Sequence, residues 1–134
     1  MSRENVEVVR RLFENLERRD FAANRELFNP DVEYARTGSE ALDFVGEWQG
    51  IEEMREAAME YVQAWARYGY KAERFIDLGD RVLVLETQTG VGKQSGVEAT
   101  HKVGNLFTLR NGRIVRWVQY WDPQEAFEAA GLPG

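Results

Sequence analysis

The chain reads as an α+β protein, a curved antiparallel sheet wrapped around three N-terminal helices, with a cone-shaped pocket and a short C-terminal helix. Three observations predict this. Apolar residues recur at helical spacing through much of the first half, and long alternating segments fill the second. Asn111-Gly112 joins two of those segments with the dipeptide best able to supply the two positive φ values of a tight hairpin turn.

The elements follow in order. Ser2 is placed to cap a first helix, with Glu4 in its opening turn and Val6, Val9, Leu12, Phe13 and Leu16 on one face. Asp20 caps a short second helix whose Ala23, Leu27 and Phe28 face inward and which Asn29-Pro30 ends. A brief strand over 31–36 leads into a glycine-bearing loop, 37–50, that carries Phe44 and Trp48, has room for one short strand and could overhang a cavity. Ile51, Met54, Ala58, Tyr61, Val62 and Trp65 trace one stripe of a helix over 51–68, with Gly69 set to stop it. Strands are expected over 70–78 and 82–91, joined at Gly79-Asp80, and then in the hairpin 101–122. Asp122-Pro123 with Glu125 is a helix start, and Gly131 ends that helix.

Period two puts His101, Val103, Asn105, Phe107 and Leu109 on one face of the hairpin with Val115, Trp117, Gln119 and Trp121. A wide apolar face with a few polar groups set into it is how a small-molecule cavity is lined. The other face, with Leu106, Ile114, Val118 and Tyr120, is more apolar than a solvated sheet face needs, and is expected to form a homodimer interface.

With 134 residues, 1–134 is expected to be a single domain able to bury a core without staples. The absence of cysteine removes disulfides, thiolate metal sites and cysteine nucleophiles and fits a cytoplasmic setting. No run is apolar enough for a signal peptide or a membrane span. Twenty-three acidic against 17 basic residues give a net charge of −6, which argues against nucleic acid as a partner and also suits an ordinary solubility charge. One histidine and no metal-ligand spacing leave no metal site, and no cofactor is expected. The segment GVGKQSG, 90–96, lacks the lysine-hydroxyl ending of a phosphate loop and reads as a connection between strands. There is no G-x-S-x-G elbow for a serine hydrolase.

Four phrases carry a family likeness: PDVEY from Pro30, LGDRVLVLE from Leu78, FTLRNGRIVRW from Phe107 and YWDPQEAFEAAGL from Tyr120. With the element order, they resemble the nuclear-transport-factor-2-like cone fold and, more narrowly, its SnoaL-like group. The resemblance implies a cone-shaped pocket, usually a homodimer, and a superfamily of polyketide cyclases, ketosteroid-type isomerases, epoxide hydrolases, dehydratases and noncatalytic binders. It also tests particular positions. Where ketosteroid isomerases have their basic aspartate this chain has Tyr34. Their oxyanion-hole tyrosine falls at Leu12 and their oxyanion-hole acid at Asn105. Where limonene-epoxide-hydrolase-like proteins have an aspartate on the final strand, this chain has Gln119, which orients a ligand but takes no proton.

His101 is then the expected catalytic residue, because histidine exchanges protons near neutrality; the competing reading is a strand-end histidine, exposed or bonded to a neighbouring strand. Asp122 is accounted for as a helix cap. Tyr34, Asn105, Trp117, Gln119 and Trp121 are the expected ligand-binding residues, the tryptophans as stacking surfaces, whereas Trp65 on its helical stripe is expected in the core. Two functions are compatible with these residues. One is cofactor-free acid-base chemistry of the cyclase, isomerase or dehydratase type on a small apolar, aromatic or polyketide-like ligand. The other is a noncatalytic ligand-binding or dimerisation module.

Overall fold

The structure, a computed structural model, describes residues 2–38 and 45–133. The expected Phe44 of the overhanging loop and the capping side chain of Ser2 lie outside what it describes. Helix α1 (Ser2–Glu17) is followed by a 3₁₀ helix (Ala22–Leu27), strands β1 (Phe28–Thr37) and β2 (Gly46–Gln49), and helix α2 (Ile51–Gln63). Strands β3 (Trp65–Asp77), β4 (Arg81–Gly92), β5 (Glu98–Arg110) and β6 (Arg113–Tyr120) come next, then helix α3 (Pro123–Ala129). The strands form one sheet in the order β2-β1-β6-β5-β4-β3. Every neighbouring pair is antiparallel except β1 and β6, which run parallel because β1 returns from the helical layer to the free edge of the hairpin.

The helical layer and the concave sheet face share one core. Val9, Leu12 and Phe13 of α1 pack with Val82 and Val84 of β4, Phe107 and Leu109 of β5, and Ile114 and Trp117 of β6. Phe13 meets Phe75 and Phe107 edge to face, with ring centroids 6.0 and 5.9 Å away. Burial of each such side chain stabilises the fold by roughly 1.5–3 kcal/mol.

The hairpin turn forms as the sequence predicts, with Asn111 at φ 53° and Gly112 at φ 76°. One residue later the register shifts: Leu109 pairs with Ile114, but Thr108 pairs with Arg116. The bulge turns Ile114 into the main core, where it is fully buried. The expectation that Val115 faces inward and Ile114 outward is therefore reversed, since one extra residue exchanges the faces locally.

Helix α2 ends at Gln63, five residues before the expected stop. Trp65, Tyr68 and Gly69 belong instead to β3, which pairs with β4 from Trp65 opposite Gly92 to Asp77 opposite Val82. A helical spacing of aromatics here meets a partner strand long enough to satisfy the backbone as a ladder. Two register shifts, at Trp65/Arg67 and Ala72/Arg74, keep the large side chains on the inner face. Trp65 is thus a strand residue whose ring lies across Gly90, where an added Cβ would stand 2.7 Å from it.

Asp122 caps α3 as expected, its Oδ1 accepting the Gln124 N–H at 3.0 Å. Helix α3 covers part of the convex face: Ala126 and Ala130 pack with Leu83 and Leu106, flanked by Tyr120, Phe127 and Leu132. Some of the apolar excess on that face therefore has a partner within the chain. No helix among the described residues is long and apolar enough to cross a membrane.

Candidate functional site

Between the helices and the concave face lies a cavity of about 300 Å³, the low end of the range for small-molecule sites. Its opening is framed by the 3₁₀ helix and α2, where Phe21, Ala22, Arg25, Arg55 and Met59 are exposed. Its depth is made by Tyr34, Tyr61, Tyr68, Glu86, Trp117 and Gln119, all buried. Inward positions of β4, β6, β1 and β3, with Tyr61 from α2, bring these side chains together from sequence-distant places.

Glu86 is the centre of the depth. It continues the inward parity of Val82 and Val84 along β4 and is 1% exposed. Its Oε1 accepts three side-chain amides: Asn105 Nδ2 at 2.9 Å, Gln119 Nε2 at 3.1 Å and Gln88 Nε2 at 3.3 Å. The amides are themselves oriented. Trp117 Nε1, which can only donate, gives its hydrogen to Asn105 Oδ1 at 2.9 Å, and the Tyr61 hydroxyl donates to Gln88 Oε1 at 2.9 Å. Oε2 is buried with no hydrogen-bond partner among the described residues.

Two effects oppose each other at this carboxyl. Burial disfavours its charge, the three amide donors favour it, and burial wins, pushing the pKa up to about 7. With three N–H groups on Oε1, the proton resides on Oε2. Near neutrality Glu86 is therefore able to give or take a proton, through the oxygen that the protein leaves unbound.

A ring of phenols surrounds it. Tyr68 is buried beside Tyr61, the two rings meeting edge to face with centroids 5.3 Å apart, and burial raises its pKa, so it remains a proton donor. The backbone of Tyr68 is held by the guanidinium of Arg19, which donates to its carbonyl. Burial likewise pushes the Tyr61 phenol up to about 12 and raises that of Tyr70. Tyr34 accepts from Arg36 Nε at 3.0 Å and packs between Trp48 and Trp117, with centroids 5.4 and 4.9 Å from its own.

Of the residues expected at the site, Tyr34, Trp117 and Gln119 line the cavity. Asn105 lies one layer behind, joining Trp117 to Glu86. His101 stands opposite Gln88 in the ladder, on the expected face, but it is not among the residues lining the cavity. Its ring stacks on Trp121 at 3.9 Å between centroids, and its Nε2 is 2.8 Å from the Trp121 carbonyl oxygen. His101 and Trp121 thus form their own pair outside the cavity lining.

Glu86, Gln88, Tyr61 and Tyr68 were missed by sequence reasoning. Glu86 had a readable signal, a carboxylate in phase with Val82 and Val84. Tyr68 had none, because its segment reads as helix. Among the described residues, no group of three or more His, Cys, Asp or Glu side chains is placed to hold a metal ion.

The fold is thus an α+β cone whose cavity has apolar walls and a polar floor. The SnoaL-like domain matches residues 9–117, and the chain belongs to that family. It superposes on an NTF2-like protein of unknown function from Burkholderia pseudomallei K96243 with a TM-score of 0.79, at 25% identity over 93% of this chain and 95% of that one. TerC co-crystallised with polyporic acid gives 0.78, at 22% identity over 96% and 98%. An LEH-like epoxide hydrolase from M. tuberculosis gives 0.69, at 21% identity over 96% and 90%. The comparison with curated proteins gave no match.

Proposed function

We propose that the protein binds a small, largely apolar or aromatic ligand in the cone and performs cofactor-free acid-base chemistry on it, with Glu86 rather than His101 as the proton-transfer group. The observation that carries this reading is the unbound Oε2 of a buried carboxyl whose pKa is raised to about 7. A group poised near the working pH is both a competent base and a competent acid. Carboxylate Oε2 takes a proton from a carbon next to a ligand carbonyl, and the Tyr68 hydroxyl donates to the oxygen on which charge develops. Return of the proton to a different atom gives isomerisation. Attack of the enolate on a second carbonyl gives cyclisation, and loss of a β-hydroxyl gives dehydration. Tyr34, Trp117 and Gln119 hold the ligand body, Gln119 with Asn105 also stabilising the carboxylate. TerC, similar in fold and crystallised with polyporic acid, supports a cone of this kind taking a small organic ligand.

The test is α-hydrogen exchange of 2-tetralone in D₂O followed by NMR. The protein accelerates exchange with an apparent pKa near 7, Glu86→Gln reduces the acceleration by about 10²-fold or more, and His101→Ala leaves it intact. Exchange no faster than in buffer, or insensitive to Glu86→Gln, sinks the acid-base proposal; binding without exchange assigns the noncatalytic module instead.

We further propose a homodimer through the convex sheet face beside α3, around the half-buried Tyr120. Sedimentation equilibrium gives twice the chain mass for the wild type and one chain mass for Tyr120→Glu. A wild type that sediments as a single chain overturns the dimer.

A further inference from the structure

Among the described residues three charged side chains line the cavity, and they are segregated. Glu86 is at the bottom, whereas Arg25 and Arg55 are at the opening, one from the 3₁₀ helix and one from α2. In a chain of net charge −6, an opening whose lining charges are both cationic runs against the overall balance. Arg55 is exposed and takes no part in the ion pairs found among the described residues. Arg25 is held by Glu52 at 2.9 Å, with the two side chains 61% and 66% exposed. An exposed pair of this kind is screened by water and contributes little, so an incoming anion competes with Glu52 at little cost.

Between the two ends the walls are apolar and aromatic: Leu12, Phe28, Met54, Tyr34 and Trp117. The lining side chains are thus graded along one axis, with proton-exchanging and hydrogen-bonding groups at the floor, apolar walls, and positive charge at the rim; the buried Arg36 guanidinium lies behind the wall, donating to the Tyr34 hydroxyl and the Ala57 carbonyl. A ligand anion at the floor would disfavour the ionised form of Glu86 that proton abstraction needs, so the anion belongs at the rim.

We infer that the cavity selects a carboxylate-bearing aromatic ligand, bound with its ring system inside and its carboxylate outward between Arg25 and Arg55. This rests on the ligand-binding reading above and adds the charge and orientation of the ligand. The rim arginines are specificity residues, placed away from the proton-transfer end.

The experiment compares 2-naphthoate with methyl 2-naphthoate, two probes of the same ring system that differ in charge, by calorimetry on the wild type, Arg55→Gln and Arg25→Gln/Arg55→Gln. The wild type binds naphthoate about tenfold more tightly than the ester. Each rim arginine accounts for up to about fivefold, and the preference shrinks in 0.5 M salt. The double variant binds the two probes equally, with the ester affinity unchanged. Equal wild-type affinities, or loss of ester and naphthoate binding together in the variants, overturn the rim assignment while leaving the pocket standing. Failure of both probes to bind the wild type overturns the pocket reading and this inference with it.

Discussion

At Glu86 the direction of every hydrogen bond follows from what each atom is able to do. Trp117 Nε1 has only a hydrogen to give, so Asn105 turns its oxygen to the indole and its NH₂ to the carboxylate. Trp117→Phe removes that constraint, leaves the Asn105 oxygen unpartnered and costs about 1–3 kcal/mol, measurable by urea unfolding. It also weakens a donor that favours the charged carboxylate, so the Glu86 pKa rises further. Glu86 itself links stability to pH. Its folded pKa of about 7 lies above the ordinary 4.5 of a glutamate, so the folded state holds the proton more tightly. The resulting stabilisation is complete below the unfolded pKa and lost as pH rises through the folded one. It amounts to about 3 kcal/mol across that window. Glu86→Gln has no such titration, so wild-type stability minus variant stability falls by about 3 kcal/mol between about pH 4 and pH 8. A difference that stays flat with pH contradicts the raised pKa.

Among the elements, α3 and the β3–β4 ladder show how much the sequence discloses. Helix α3 was legible from its cap and proline, but its docking site was not, since nothing local in Gly104 announces a helix above it. A Cβ at Gly104 would stand 2.4 Å from Ala126 Cβ. Gly104→Ala therefore destabilises by about 1–3 kcal/mol through overpacking, and Ala126→Gly in the same chain recovers part of the loss. Denaturant midpoints of the two single variants and the double variant check this, and additive losses would show that the two residues do not meet. The end of α2 was misread for a related reason. Trp65 and Tyr68 are spaced for a helix, and only the length of β4 opposite them makes a strand the better outcome. That error hid Tyr68, a buried phenol of the cavity. In the hairpin, the turn and alternation were legible at Asn111-Gly112, while the bulge that turns Ile114 inward left no mark in the residues themselves.

In the whole molecule, the cone converts strand parity into a site. Tyr34, Gln88, Trp117 and Gln119 come from three strands that are distant in sequence, and only curvature brings them around Glu86. The fold class and the polar wall positions were readable because alternation fixes which residues share a face. Which inward residues border the cavity was not, because helix placement decides that. His101 is on the right face and yet beyond the wall, whereas Glu86 is on the same face and at the centre. The resulting molecule has an acid-base group at its floor and cations at its rim, in a chain that is acidic overall. The measurement that bears most directly on this account is an NMR titration of the Glu86 side-chain carboxyl carbon in the wild-type protein. A midpoint near 7, as burial against three amide donors requires, supports proton transfer at the cavity floor; a midpoint at the ordinary 4.5 contradicts it.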